Sequence, residues 1–211
     1  MIHTAEYLFG KQGYTQTTIK DITTRAGISV GTFYFYFNNK GELFQHLYDE
    51  FAKKLQIISD FALKKSDLGV IEGFCRYKAA ELWTFQQLQE IAKTMLIEAP
   101  GFDPLFEKKR AHTFHKSNER VEHIFKNLCK HGHVHIQDTK TAALLCNGSL
   151  YSVVMEWLQQ NRTQPLTEYA YPIIIFNLNA FQLKYVEEMV QTYITETISD
   201  IDTFFHFNKW V

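Results

Sequence analysis

Proline is scarce in this chain of 211 residues, four in all, and glycine is limited to ten. So few breakers exclude a collagenous or low-complexity chain and leave room for long helices. Cysteine is scarcer still, with Cys75, Cys129 and Cys146 far apart and no CxxC pair among them. An odd, dispersed set builds neither a disulfide framework nor a zinc ribbon, so reduced thiols are expected. Long apolar runs are missing too: stretches such as Ile173-Ile174-Ile175-Phe176 fall far short of the ~20 residues that span a bilayer. No basic, apolar and small-residue leader opens the chain. The expectation is a soluble cytoplasmic protein with no membrane partner. Excess positive charge is also absent, since 22 Lys and Arg face 23 Asp and Glu for a net charge of −1. Charge alone therefore does not announce a nucleic-acid ligand.

What the chain does have is aromatics, 18 Phe, 11 Tyr and 3 Trp, enough for a large core, a lined cavity, or both. Apolar positions recur at three- and four-residue spacings nearly everywhere, and no alternating pair of runs flanks an Asn-Gly or Asp-Gly turn. The fold class expected is all-α. A first helix places Ile2, Ala5, Leu8 and Phe9 on one face and stops at Gly13. Thr18 precedes Asp21 by three positions, the capping-box spacing, and the helix it opens ends near Gly27. Ser29 then caps a short helix, Val30 to Phe37, with Phe33 and Phe37 facing inward. From Lys40 to about Ala62 the pattern predicts one amphipathic helix of roughly 35 Å. Further helices are expected over about 68–86, 87–98, 103–131, 138–161 and 172–205.

Two short helices joined by Ala26-Gly27-Ile28-Ser29 make a helix-turn-helix, the unit that lays its second helix in the major groove. Leu8-Phe9, Gly13-Tyr14, Thr17-Thr18-Ile19, Asp21-Ile22, Ala26-Gly27-Ile28-Ser29, Gly31-Thr32, Tyr34, Tyr36-Phe37 and Lys40 stand at the spacings of one bacterial family. Over these residues the sequence resembles the tetracycline-repressor (TetR) family of transcription regulators. The resemblance implies a DNA-binding domain at 1–45, an effector-binding and dimerisation domain at 46–211, and a ligand-responsive repressor acting as a homodimer on a palindromic operator. Tyr34, Tyr36 and Lys40 resemble the family's backbone clamp, phenols and an ammonium able to meet phosphate oxygens. Thr18 is first a helix cap and in addition a candidate phosphate contact. Ser29, Val30, Thr32 and Phe35 are the candidates for base edges, Phe35 offering only apolar contact such as to a thymine methyl. Gly31 fits a close backbone approach to DNA or to the second helix. Residues 1–50 hold four Lys or Arg against five acids, so affinity has to come from placement. The chain begins where family members are already inside their first helix, so minor-groove contacts from a preceding arm are not expected.

Beyond the reading head, Trp83, Phe85, Met95, Phe102, Phe106 and Phe114 are candidates to line a pocket for a small apolar or aromatic effector. Two half-sites require a symmetric dimer, and the candidate interface is Leu145, Ser149, Ser152 and Trp157 together with Leu183, Val186, Val190 and Ile194. His131, His133 and His135 can chelate a transition metal if held extended, but a solvated loop is the expectation, with no resident metal and no cofactor. Ser149 lies in Asn-Gly-Ser-Leu-Tyr, which is no nucleophile elbow, and no Gly-rich phosphate loop appears, so an enzyme is not expected. The alternatives are a metal- or redox-responsive regulator of the same fold and an all-α small-molecule adaptor that leaves DNA alone.

Overall fold

The computed structural model of the chain describes residues 1–64, 69–99, 101, 104–160 and 163–207, and among these every regular element is helical. The order is α1 Ile2–Gln12, α2 Ile19–Ala26, α3 Val30–Tyr36, α4 Lys40–Ala62, α5 Val70–Gln87, α6 Gln89–Lys93, α7 Pro104–Lys130, α8 Thr139–Gln159, α9 Ala170–Ala180 and α10 Glu187–Phe207. Helix α6 widens at once into a π-helical turn, Thr94–Glu98, and a 3-10 turn, Leu166–Tyr169, leads into α9. No described helix is long and apolar enough to cross a membrane.

Local chemistry sets most boundaries. Gly13 ends α1 at φ 86, and Gly27 ends α2 in the left-handed region at φ 65, a backbone that costs glycine nothing. The single helix expected over 172–205 is in fact two. Gln182 takes φ 54, and the Leu183 amide closes the end of α9 on the Leu178 carbonyl at 2.8 Å. A glutamine at that position carries no sequence signature of a stop.

The chain divides into two units. The N-terminal unit joins Met1–Lys54 to Leu88–Arg110, so it is neither continuous nor confined to residues 1–45. Its core gathers Ala5, Leu8 and Phe9 of α1, Ile22 of α2, Phe33 of α3 and Leu43, Phe44 and Leu47 of α4, all buried. The later segment completes this core: Phe106 meets Phe44 at 5.0 Å and Tyr48 edge-on at 5.2 Å. At Gly10 a methyl group would stand 2.6 Å from Cβ of Glu90, so α1 and α6 approach as closely as a bare backbone permits.

The C-terminal unit joins Leu55–Gln87 to Ala111–Val211. Its central element is α5, buried on every side from Phe74 to Phe85, the pattern of a helix enclosed by others. On one flank Ala80 and Trp83 meet Ile58 and Ala62 of α4 and Ile201 and Phe205 of α10. Arg76, also enclosed, is paired with Glu72 at 2.7 Å and Glu196 at 2.9 Å, as a buried guanidinium requires.

Candidate nucleic-acid interface and effector site

The reading head is built from two capped helices around a glycine turn. The Asp21 amide donates to Thr18 Oγ1 at 3.1 Å, while the Thr18 amide and hydroxyl donate to the Asp21 carboxylate at 2.9 and 2.7 Å. These bonds hold the Asp21 carboxyl below its ordinary pKa. They also occupy the Thr18 hydroxyl proton inside the cap. After Gly27, Ser29 Oγ accepts the Thr32 amide at 3.0 Å and lies 2.9 Å from Thr32 Oγ1. Helix α3 is anchored by Phe33, which is wholly buried, and turns Val30, Tyr34, Phe35 and Tyr36 outward. Phe35 is 82% exposed and its ring meets the edge of Tyr36 at 5.1 Å.

Among the described residues, a Cβ on Gly31 would meet only Ser29 Oγ, at 3.6 Å. Packing there does not demand glycine, and of the two expected reasons the approach to α2 is not one.

Lys40, expected to meet a phosphate, has a structural duty that the sequence did not reveal. Its ammonium donates to the carbonyls of Tyr14 at 2.7 Å and Thr17 at 2.8 Å, with Thr15 at 3.5 Å, and lies 4.3 Å from the centre of the Tyr14 ring. Burial lowers its pKa. These acceptors belong to the α1–α2 connection, so Lys40 fastens that turn to the start of α4. Exposed cations stand elsewhere in the head: Arg25 lies 4.2 Å above the Tyr7 ring, with Lys11 at 5.7 Å.

The expected pocket residues are divided between the two units. Met95 and Phe106 are core of the N-terminal unit, and Trp83 fills the α4–α10 side of α5, its indole donating to Asp202 at 2.6 Å. Phe102 lies outside the described residues. Phe85 and Phe114 are brought together, both edge-on to Tyr151, at 5.8 and 4.6 Å. The same unit holds a buried polar cluster that the sequence did not reveal. Lys78 donates to Glu81 at 2.8 Å and to Asn147 Oδ1 at 2.5 Å, Ser117 donates to Glu81 at 3.1 Å, and the Tyr77 hydroxyl donates to Ser117 Oγ at 3.0 Å. Lys78 and Glu81 are 0% and 1% exposed. Burial, with Glu81 nearby, pushes the Tyr77 hydroxyl well up. A spacing of three on a helix reads as a surface ion pair; only the enclosure of α5 buries it. A separate groove of about 520 Å³ opens between Leu63, Val70, Phe74, Arg120, His123 and Ile124.

Of the interface candidates, Leu145, Ser152 and Val186 are exposed, but Trp157, Leu183, Val190 and Ile194 are buried within the chain itself. The Trp157 indole donates to the Gln164 carbonyl at 2.8 Å. Ser149 accepts from Asn177 at 2.9 Å and donates to the Cys146 carbonyl at 2.8 Å. Leu144, Phe176 and Met189 are exposed apolar residues that helical spacing missed. His131 turns back to its own helix, its Nδ1 2.8 Å from the Asn127 carbonyl, and no three His, Cys, Asp or Glu side chains converge to hold a metal among the described residues. Burial raises the Cys75 and Cys146 thiols to about 12 and about 11, far from the thiolate that redox sensing needs.

Residues 1–47 match the family model of the bacterial regulatory proteins, tetR family. The HTH-type transcriptional regulator TtgR of Pseudomonas putida is 47% identical over 49 residues, 23% of this chain and 23% of that protein; the likeness spans about a quarter of the curated relative. Over longer stretches the fold is shared. The fatty acid degradation regulator FadR from Bacillus halodurans superposes with TM-score 0.73 at 21% identity, covering 87% of this chain and 95% of that one. FadR from Bacillus subtilis, solved in complex with stearoyl-CoA, gives TM-score 0.73 at 16% identity over 83% and 95%. The capped helix-turn-helix of α2 and α3 lies within residues 1–47, the stretch of this chain that matches the tetR family of bacterial regulatory proteins.

Proposed function

We propose that the chain is a transcriptional regulator, a homodimer that binds a pseudo-palindromic operator with α3 in the major groove of each half-site and represses the adjacent promoter. The observation that carries this reading is α3 itself, a capped helix that turns large, exposed side chains outward. Ser29, Val30, Gly31, Thr32 and Phe35 face the bases, and Tyr34 and Tyr36 hold phosphates. Thr18 and Lys40 act first on the shape of the head. Exposed apolar residues on α8, α9 and beside α10, among them Leu145, Phe176 and Val186, support a second copy as the partner of this surface.

The effector is a mostly apolar small molecule bound in the C-terminal unit. The Phe85, Tyr151 and Phe114 rings of that unit supply an apolar cluster suited to an apolar body. Stearoyl-CoA, held by the Bacillus subtilis FadR, has that character. Helix α4 contributes residues to both units without a break, one continuous element that both ligands can bias. A coupling of ~1–3 kcal/mol corresponds to a fall in operator affinity of roughly 5- to 150-fold, and by linkage the operator weakens effector binding equally.

Selection of bound sequences from random duplex DNA, with sedimentation of the free protein, tests this reading. The expected result is a two-fold symmetric motif whose binding weakens with salt, and a dimer at micromolar concentration. A protein without sequence preference, or a monomer, overturns it.

A further inference from the structure

The seven residues of α3 are Val30, Gly31, Thr32, Phe33, Tyr34, Phe35 and Tyr36. None is Arg, Lys, Asn, Gln, Asp or Glu. The side chains that read guanine or adenine by paired hydrogen bonds are therefore missing from this helix. The two aliphatic hydroxyls at its start are engaged with each other, Ser29 Oγ lying 2.9 Å from Thr32 Oγ1 and also accepting the Thr32 amide. Beside the Tyr34 and Tyr36 phenols, what faces outward is apolar, Val30 at 46% exposure and above all Phe35 at 82%, with Thr32 exposed next to them.

An aromatic ring left so bare gains only when an apolar surface covers it. In the major groove the one apolar group on a base edge is the C5-methyl of thymine. Gly31 adds the second condition, since no contact among the described residues needs its missing Cβ, and a bare backbone lets the helix sit deep. Resting on the reading of α3 as the DNA-contacting helix, we propose that Phe35, supported by Val30 and the Thr32 methyl, selects the operator through thymine methyl groups. At the positions under Phe35 the discrimination is then by a methyl rather than by a hydrogen bond.

Deoxyuridine keeps thymine's pairing edge and removes only the methyl, so it isolates the contact. In the preferred duplex each thymine is replaced in turn by deoxyuridine, and binding of the full chain and of Phe35→Ala is titrated. The expected result is a loss of about fourfold at one or two positions per half-site, the factor that burial of one methyl confers, and no such loss for Phe35→Ala. Phe35 is a surface residue, so the variant keeps its fold, and circular dichroism verifies this. A sequence-specific complex indifferent to deoxyuridine everywhere overturns the methyl readout and leaves the regulator reading intact. A penalty that persists unchanged in Phe35→Ala removes Phe35 as the reader. Binding with no sequence preference overturns both.

Discussion

Side chains of one type carry different duties according to what surrounds them, and the lysines make the point. In the sequence Lys40 aligns with a phosphate contact, yet its ammonium is bonded to the Tyr14 and Thr17 carbonyls. A local pattern names the residue type but not the acceptors that a distant turn brings within reach. Lys40→Met is expected to lower stability by about 1 kcal/mol, about 2–4 °C in melting temperature for a chain of this length. The salt slope of operator binding should stay as in the parent protein. A slope flattened by one unit, with unchanged melting, would mean that the ammonium meets a phosphate instead. Lys78 was invisible for the opposite reason. Nothing within four residues of it distinguishes a solvated i,i+3 pair with Glu81 from a buried one.

At the level of elements, the start of the reading head was legible because its signals are local: Thr18, Asp21, Gly27 and Ser29 each act on backbone groups a few residues away. The α9–α10 break was not, because a glutamine turn leaves the apolar spacing on either side undisturbed. The cap of α2 has a pH dependence whose sign follows from its bonds. Hydrogen bonds from Thr18 hold the Asp21 carboxyl below its ordinary pKa. A carboxylate depressed in the folded state contributes stability that is present above the unfolded pKa and lost as pH falls through the folded one. Asp21→Asn should therefore melt below the parent protein at neutral pH, and the gap should close as the solution is acidified below about pH 4. Melting curves across the acid and neutral range check this; a gap constant throughout would mean that the charge of Asp21 plays no part in the cap.

For the whole molecule, the buried Lys78–Glu81 pair commits two charges to the interior, linking α5 to Ser117 of α7 and Asn147 of α8. Removing one partner strands the other, so Lys78→Met is expected to cost about 3–5 kcal/mol, while Lys78→Met with Glu81→Leu recovers most of it. Urea unfolding of the two variants decides the matter, and a double variant no more stable than the single one would place the cost in packing rather than in charge. The division into units has a consequence of another kind. Because the N-terminal unit takes Leu88–Arg110 into its core, with Gly10 against Glu90 and Phe44 against Phe106, its reading head is not a heritable cassette. A recombination joint placed just past the helix-turn-helix would transfer the bases the head prefers but leave behind the helix that α1 was shaped to meet. An exchange of operator specificity between relatives thus needs two crossovers, or a donor and recipient already matched across that contact.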